Sequence, residues 1–206
     1  MSRTPSSAEL SAILPTGVLP RNLEGVVGRG GALTVGKVDT EVRDRREELM
    51  QEEAVIREAQ ATDIAEIVRH RRRMYEDIGE RNTGALEAMQ ASTSAFLEKA
   101  IPAGTFRGWL AQTSAGRVVA GGGMMIVPWL SRPADPKPRR AWILNIYTEP
   151  EYRRRGIARR LMQTMIEWCR QAGFQSVSLH SSDDGRPLYE SLGFKPTQEM
   201  KLVLRA

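Results

Sequence analysis

The sequence predicts an α/β protein with a mixed, mostly antiparallel twisted sheet, one parallel crossover, and helices on both faces. Three observations predict it: a strand and two helical segments come first, a strand–turn–strand meander follows, and a strand, a long helix and a strand come next. The last succession has the spacing of a right-handed parallel crossover. The meander contributes the antiparallel pairs.

The regular pattern begins at residue 54. We predict a short strand over Ala54–Ala59 and a helix that starts after Asp63, which is expected to cap it together with Glu66. A second helix is predicted over Gly84–Ala100 and ends before Pro102, which cannot continue it. Six residues give the first helix its apolar spacing: Ile64, Ile67, Val68, Met74, Tyr75 and Ile78.

Three strands are predicted in the middle of the chain. Gly108–Thr113 and Arg117–Val127 are joined by a tight turn at residues 114–116. The stretch from Pro128 to Pro138 is rich in proline and is expected to be a loop. Trp142–Thr148 is apolar on both faces, which is typical of a central strand covered by helices.

The clearest helix of the chain is predicted over Gly156–Ala172. Apolar residues recur on one side of it at every fourth position, polar residues fill the other side, and Gly173 is the expected C-cap. The elements predicted after it are a strand over Phe174–Ser181, a short helix over Pro187–Leu192 and a final strand over Met200–Leu204.

The first part of the chain has a different character. Residues 1–49 are punctuated by Gly, Pro and Ser and show no long periodic element, so we predict a weakly ordered extension. It is either a flexible extension or upstream sequence translated from a start site that was set too early. Residues 50–206 are predicted to form the folded domain.

Composition excludes several classes of protein. No apolar run approaches the roughly 18 residues that a membrane span needs, and no secretory signal is evident, so a cytoplasmic protein is expected. The single cysteine and the two distant histidines, His70 and His180, predict neither a disulfide nor a metal site. The net charge of +5 suits an anionic ligand or nucleic acid, but aromatic residues are only 6%, which disfavours a base-stacking surface.

The segment after the central strand carries the chemistry. Trp142–Thr148 leads through a short turn into Arg153-Arg154-Arg155-Gly156-Ile157-Ala158, which opens the long helix. Unpaired amides at a helix N-terminus and the positive end of its dipole suit a phosphate or pyrophosphate. Gly156 and Ala158 keep side chains away from such an anion, and nearby arginines add positive potential.

These residues resemble the GNAT superfamily of acyl-CoA-dependent N-acetyltransferases. Arg153-x-x-Gly156-x-Ala158 matches its cofactor motif, and residues 188–194 match its Tyr-x-x-x-Gly-Phe signature. The similarity covers about residues 54–206. It implies a GNAT-like sheet whose two parallel central strands splay apart around the cofactor.

The resemblance implies acetyl-CoA as co-substrate and no metal. The amide of Ile146 would bind the thioester carbonyl, and Tyr189 would protonate the departing thiolate; these two are the implied catalytic residues. Main-chain amides of residues 154–158 would hold the pyrophosphate. The implied cofactor-binding residues are Ile146, Tyr147, Thr148, Arg153, Arg154, Arg155, Gly156, Ile157, Ala158 and Ser182.

Two positions depart from the family pattern. Trp142 stands where some members carry a glutamate base, which leaves Glu149, His180, Asp183 and Asp184 as candidates. Ser182 stands where asparagine is frequent and can still form hydrogen bonds to a ligand or water.

The predicted function is acetyl transfer from acetyl-CoA to a small-molecule amine by direct attack, since no credible nucleophile is present. Two alternatives stay open: acetylation of a protein N-terminus or lysine, and a non-catalytic acyl-CoA-binding sensor. A nucleic-acid-binding module is disfavoured, no membrane partner is expected, and a homodimer is left open. The acceptor pocket is expected between residues 74–89 and the 128–138 loop.

Overall fold

A computed structural model of the chain describes residues 53–204. The predicted extension over residues 1–49 lies outside the described residues. Within residues 53–204 no helix has both the length and the apolar character that crossing a bilayer would require.

One five-stranded sheet forms the centre of the described part and confirms the predicted fold class. The strands lie in the order β1-β2-β3-β4-β5, and only β4 and β5 pair parallel. Their bounds are β1 Val55–Glu58, β2 Phe106–Gln112, β3 Val118–Pro128, β4 Arg139–Thr148 and β5 Val177–Leu179.

Four α-helices of the described part accompany the sheet. Two lie between β1 and β2, one forms the crossover from β4 to β5, and a short one follows β5. Short 3-10 turns precede the first and third helices. The bounds are α1 Ile64–Asp77, α2 Thr83–Ala100, α3 Ile157–Gln171 and α4 Arg186–Ser191, with 3-10 turns at Ala61–Asp63 and Pro150–Tyr152.

Each face of the sheet buries its own apolar cluster. On one face α3 contributes Leu161, Met162 and Met165, which are fully buried. On the other face α1 and α2 cover a second cluster that includes Ile67 and Leu97. The apolar side chains on the two faces of β4 are therefore buried or half-buried, which explains why its sequence is apolar without alternation.

The three consecutive glycines of β3 make room for neighbouring side chains. A Cβ on Gly122 would lie 2.5 Å from Ile146 Cδ1, and one on Gly123 would lie 2.6 Å from the ring of Phe106. A Cβ on Gly121 would lie 2.9 Å from Leu110 Cδ2. These glycines therefore serve packing on both faces of the sheet.

The predicted capping of α1 by Asp63 is wrong. The Asp63 side chain makes no capping bond to α1; it accepts from the amide of Gln60 at 2.8 Å and from the Arg57 guanidinium at 2.7 Å. Glu66 pairs instead with Arg69. An arginine on β1 thus outcompetes the local helix cap, and it holds the pKa of the Asp63 carboxyl below its usual range.

The predicted final strand at Met200–Leu204 is also wrong. These residues form no strand, and the side chains of Met200, Leu202 and Leu204 are at least four-fifths exposed. A strand needs a neighbour for its ladder, and β5 is only three residues long. A cavity of about 330 Å³ lies between β5 and the segment before Met200, and it is lined by Phe194–Thr197 and Glu199.

A buried polar cluster fastens α1 beneath β3 and β4. The Glu149 carboxylate accepts from Arg69 and, at 3.4 Å, from the hydroxyl of Tyr147. His70 lies 3.6 Å from Glu149 and is 2% exposed, and its Nδ1 has no hydrogen-bond partner among the described residues. Burial lowers the pKa of His70 to about 4, so the imidazole is neutral at pH 7.

This neutral histidine predicts a loss of stability in mild acid. Because the folded pKa of about 4 lies below the ordinary 6.5, the unfolded chain binds the proton first as the pH falls. The free energy of unfolding should fall by about 2 kcal/mol between about pH 7 and pH 5 from this group. His70→Leu should remove that part of the pH dependence in urea titrations.

The control for this prediction is His180→Gln, because the side chain of His180 is 74% exposed. A pH dependence that His70→Leu leaves unchanged, or that His180→Gln reduces equally, would contradict the assignment.

Candidate active site

The parallel strands β4 and β5 pair over only three residues each. The ladder joins Ala141–Ile143 to Val177–Leu179. Beyond Ile143, β4 continues to Thr148 along β3 without β5 beside it. The outer backbone edge of residues 144–148 is therefore open, as expected for a sheet whose central strands splay apart.

A bulge in β4 lies at the start of this open edge. Leu144 pairs with Gly123 and Tyr147 pairs with Gly121, so Asn145 and Ile146 together oppose the single residue between those glycines. Asn145 has φ 57°, in the left-handed region that asparagine tolerates better than most residues.

The ladder also fixes which amides face outward. The amide of Glu149 donates to the Val119 carbonyl of β3 at 2.9 Å. Because successive backbone groups of a strand alternate in direction, Tyr147 faces β3, whereas Ile146 and Thr148 face the open side. Of the three predicted contacts to the cofactor arm on β4, the backbone groups of Ile146 and Thr148 are therefore oriented for it.

The turn after β4 presents its backbone to solvent. Arg154 and Gly156 both have positive φ, 63° and 74°, and they flank Arg155 directly before α3. Such alternation makes an anion-binding concavity of backbone N–H groups. No side-chain cap is made at Gly156, and a Cβ placed there would meet no atom within 4 Å.

Several of the arginines at this turn are engaged with the protein itself. The Arg153 guanidinium pairs with Asp77 at the end of α1, and its Nε donates to the Thr148 carbonyl at 2.9 Å. Arg159 donates to Ser191 of α4 at 2.8 Å. These side chains hold the turn between α1, β4 and α4 while still contributing positive potential.

Tyr189 lies on α4, half-buried against the core cluster that also contacts Ile146. Its ring packs edge-on against Phe194 with 6.1 Å between centroids. Burial raises the pKa of the Tyr189 phenol, so the hydroxyl stays protonated at neutral pH. Ser182 accepts from the amide of Gly185 at 3.2 Å and thereby shapes the start of α4.

The candidate bases differ sharply in their surroundings. Glu149 is buried and already engaged with Arg69 and Tyr147, which suits a structural role. His180 directly follows β5, so it lies at the fork where the two parallel strands separate. Its ring meets Trp142 at 4.7 Å between centroids, and its Nε2 lies 3.2 Å from a carboxylate oxygen of Glu199.

Sequence reasoning missed Arg71 of α1. Its guanidinium donates to the side-chain oxygen of Asn145 in the bulge and lies over the ring of Tyr75, 5.1 Å from its centroid. The available signal was periodicity: Arg71 stands four residues after Ile67 and four before Tyr75, on the stripe that faces the sheet. A charged residue on the side of a helix that faces the sheet indicates a specific interaction there.

The 128–138 loop contributes to a cavity of about 270 Å³. It shares this cavity with Arg140 of β4 and with Ser176 and Ser178 around the start of β5. Residues 74–89, which were expected to share a pocket with this loop, do not line this cavity.

The sequence was compared with known families and solved structures. Residues 64–194 match the model of the acetyltransferase (GNAT) family. A crystal structure of a GCN5-related N-acetyltransferase from Ralstonia eutropha is 32% identical with a TM-score of 0.68, covering 73% of this chain and 98% of that chain. A predicted acetyltransferase from Clostridium acetobutylicum, solved with acetyl-CoA, has the same fold at 23% identity and a TM-score of 0.67, covering 73% and 96%.

Two curated proteins are similar over shorter segments. Glucosamine 6-phosphate N-acetyltransferase of Trypanosoma brucei brucei is 32% identical over 90 residues, which cover 43% of this chain and 59% of that protein. Human N-acetyltransferase 8 is 32% identical over 68 residues, covering 31% and 30%. The matched segments thus span less than two thirds of either relative.

Proposed function

The chain belongs to the acetyltransferase (GNAT) family, and we propose that it transfers the acetyl group of acetyl-CoA to the primary amine of a small molecule by direct attack. The observation that carries this proposal is the continuity between the open edge of β4 and the uncapped N-terminus of α3. One extended ligand with a diphosphate at one end fits both features.

The diphosphate would bind the main-chain amides from Arg154 to Ala158. The positive φ of Arg154 and Gly156 turns successive N–H groups toward one point, and the dipole of α3 adds a partial positive charge there. The pantetheine arm would then lie along β4 and complete the hydrogen bonds of Ile146 and Thr148. Arg153 already occupies the Thr148 carbonyl, so the arm would use the amide of that residue.

The amide of Ile146 would stabilise the oxyanion that develops on the thioester carbonyl. A backbone donor held by a bulge costs little reorganisation when charge develops, which is the general basis of oxyanion stabilisation. The Ile146 side chain occupies the space left by Gly122 and packs against the core cluster that includes Met165 of α3, and this packing would hold the amide in place.

Tyr189 would donate its proton to the departing thiolate. A phenol is ordinarily a weaker acid than a thiol, and burial raises the pKa of the Tyr189 phenol further, so complete proton transfer to the thiolate has a free-energy cost. A hydrogen bond from the hydroxyl offsets part of that cost, because it is strongest when negative charge is on sulfur.

The attacking amine must lose its proton before it reacts. For a lysine-like amine this costs about 4–5 kcal/mol at pH 7. We assign the base role to His180, because it lies at the fork of β4 and β5 and Glu199 can orient its ring. The other described candidate with a buried carboxylate, Glu149, is held by Arg69.

Direct attack is favoured over an acyl-enzyme because Cys169 cannot serve as nucleophile. Its side chain is 4% exposed in the core, its Sγ lies 3.5 Å from the sulfur of Met124, and burial raises the pKa of its thiol to about 11. A buried thiol of this kind carries almost no thiolate at neutral pH.

The proposed activity predicts release of free CoA thiol from acetyl-CoA when a suitable amine is supplied. A panel should include amino acids, polyamines, aminoglycosides, glucosamine and glucosamine 6-phosphate, with peptides for the protein-acceptor alternative. A small-molecule amine should raise thiol release at least tenfold over the amine-free rate. Tight binding of CoA without release on any acceptor would instead support the sensor.

Gly156→Glu should reduce the affinity for CoA by roughly a hundredfold or more, since it directs a carboxylate at the diphosphate. Gly104→Glu is the matched control: Gly104 has φ 68°, a Cβ there also meets nothing within 4 Å, and it precedes β2 rather than α3. Isothermal titration with CoA should show the loss only in the first variant. Equal affinities would contradict the location of the diphosphate.

Tyr189→Phe should lower kcat about tenfold to hundredfold by removing the proton donor to sulfur. The Kd for CoA should change less than about twofold, since the ring and its packing against Phe194 are retained. Steady-state rates and CoA titrations measure the two effects separately. An unchanged kcat in an experiment where chemistry limits turnover would remove Tyr189 from the mechanism.

A further inference from the structure

We infer that the acceptor carries an anionic group, a carboxylate or a phosphate, in addition to its amine, and that Arg71 binds this anion. The inference rests on the proposed acetyl transfer beside Ile146 and assigns a class of substrate to that site. It makes Arg71 a specificity-determining residue.

The first observation is a missing countercharge. Within residues 53–204, Arg71 forms no ion pair, whereas the other half-buried arginines of α1 do. Arg69 pairs with Glu66 and Glu149, and Arg72 pairs with Glu76 at 2.8 Å. Partial burial of a guanidinium without an anion has a free-energy cost, so this arrangement favours an external partner.

The second observation is that Arg71 is incompletely satisfied. Its Nε is buried and has no hydrogen-bond partner among the described residues. Its Nη2 reaches the Tyr75 hydroxyl only at 3.4 Å, at the long limit for such a bond. The planar guanidinium matches a carboxylate or a phosphate with two parallel hydrogen bonds, and a modest rotation of the side chain would release donors for them.

The third observation is the place of Arg71 relative to the proposed chemistry. Its guanidinium contacts the side chain of Asn145, and Ile146, whose amide is assigned to the thioester, is the next residue. An anion at Arg71 therefore belongs to a molecule that reaches the acetyl group.

The cofactor does not supply that anion. Its diphosphate is assigned to the turn at Arg154–Ala158, which contacts α1 through the pair between Arg153 and Asp77. Arg71 precedes Asp77 by six residues, or about 9 Å along the helix axis. The pantetheine arm and the acetyl group that lie between are uncharged, so the anion at Arg71 must come from the acceptor.

Matched pairs of acceptors test this on the unaltered protein. Each pair shares its amine and differs in the anion: an α-amino acid against its carboxamide, and glucosamine 6-phosphate against glucosamine. We expect kcat/KM to be at least about tenfold higher for the anionic member of one pair, which also identifies the source as carboxylate or phosphate. Equal or higher values for the neutral member in every pair would overturn the inference.

Arg71→Gln should lower kcat/KM for the preferred anionic acceptor by about tenfold to hundredfold, mainly by raising KM. The kcat/KM for the neutral acceptor of the same pair should change by less than about threefold. Arg71→Lys should restore part of the preference. Arg72→Gln is the matched control, because its charge is already paired with Glu76 and it should keep the full preference. A preference ratio that Arg71→Gln leaves unchanged would overturn the inference.

Failure of the inference and failure of the proposed function give different results. If CoA binds but no amine is acetylated, the proposed function is wrong. If neutral amines are acetylated as well as anionic ones, the function holds and the role of Arg71 is wrong. Titration of each Arg71 variant with CoA checks that the cofactor site is intact; a tenfold loss of CoA affinity would assign Arg71 to the cofactor instead.

Discussion

The structure depends on the early end of pairing between β4 and β5. The ladder between the two strands ends at Ile143 and Leu179, and the remaining residues of β4 keep an unpaired backbone edge. Backbone donors and acceptors must be satisfied, so this edge needs water or a ligand that resembles a strand. The bulge at Asn145 lies at the start of this edge, and the turn with two left-handed residues and the start of α3 follow it; we propose that together they form one continuous binding surface.

Helix α1 connects the two ends of that surface. Its last residue, Asp77, pairs with Arg153 in the turn to which we assign the diphosphate, and six residues earlier Arg71 contacts the bulge. In the proposed complex the two ends would bind their anions by different chemistry. Backbone amides suit the invariant part of a cofactor because they do not depend on a side-chain rotamer, whereas a guanidinium on a helix can vary with the acceptor.

Elements that local sequence patterns determine were predicted correctly, whereas the predictions failed where residues distant in the sequence form the decisive contacts. Helical periodicity identified α3, a continuous apolar run identified β4, and the order of elements identified the parallel pair. The cap assigned to Asp63 was wrong because Arg57, from another element, binds its carboxylate. The prediction of a final strand was wrong because an apolar segment forms a strand only where a neighbouring strand is free to pair with it. Arg71 was missed because its neighbour Asn145 is 74 residues away in the sequence.

A crystal structure of the protein with CoA tests the central claim most directly. The account predicts diphosphate oxygens about 3 Å from main-chain amides between Arg154 and Ala158, and the pantetheine arm along Ile146 and Thr148 in the gap beside β4. A complex in which CoA binds elsewhere while this gap and turn hold only solvent would contradict it.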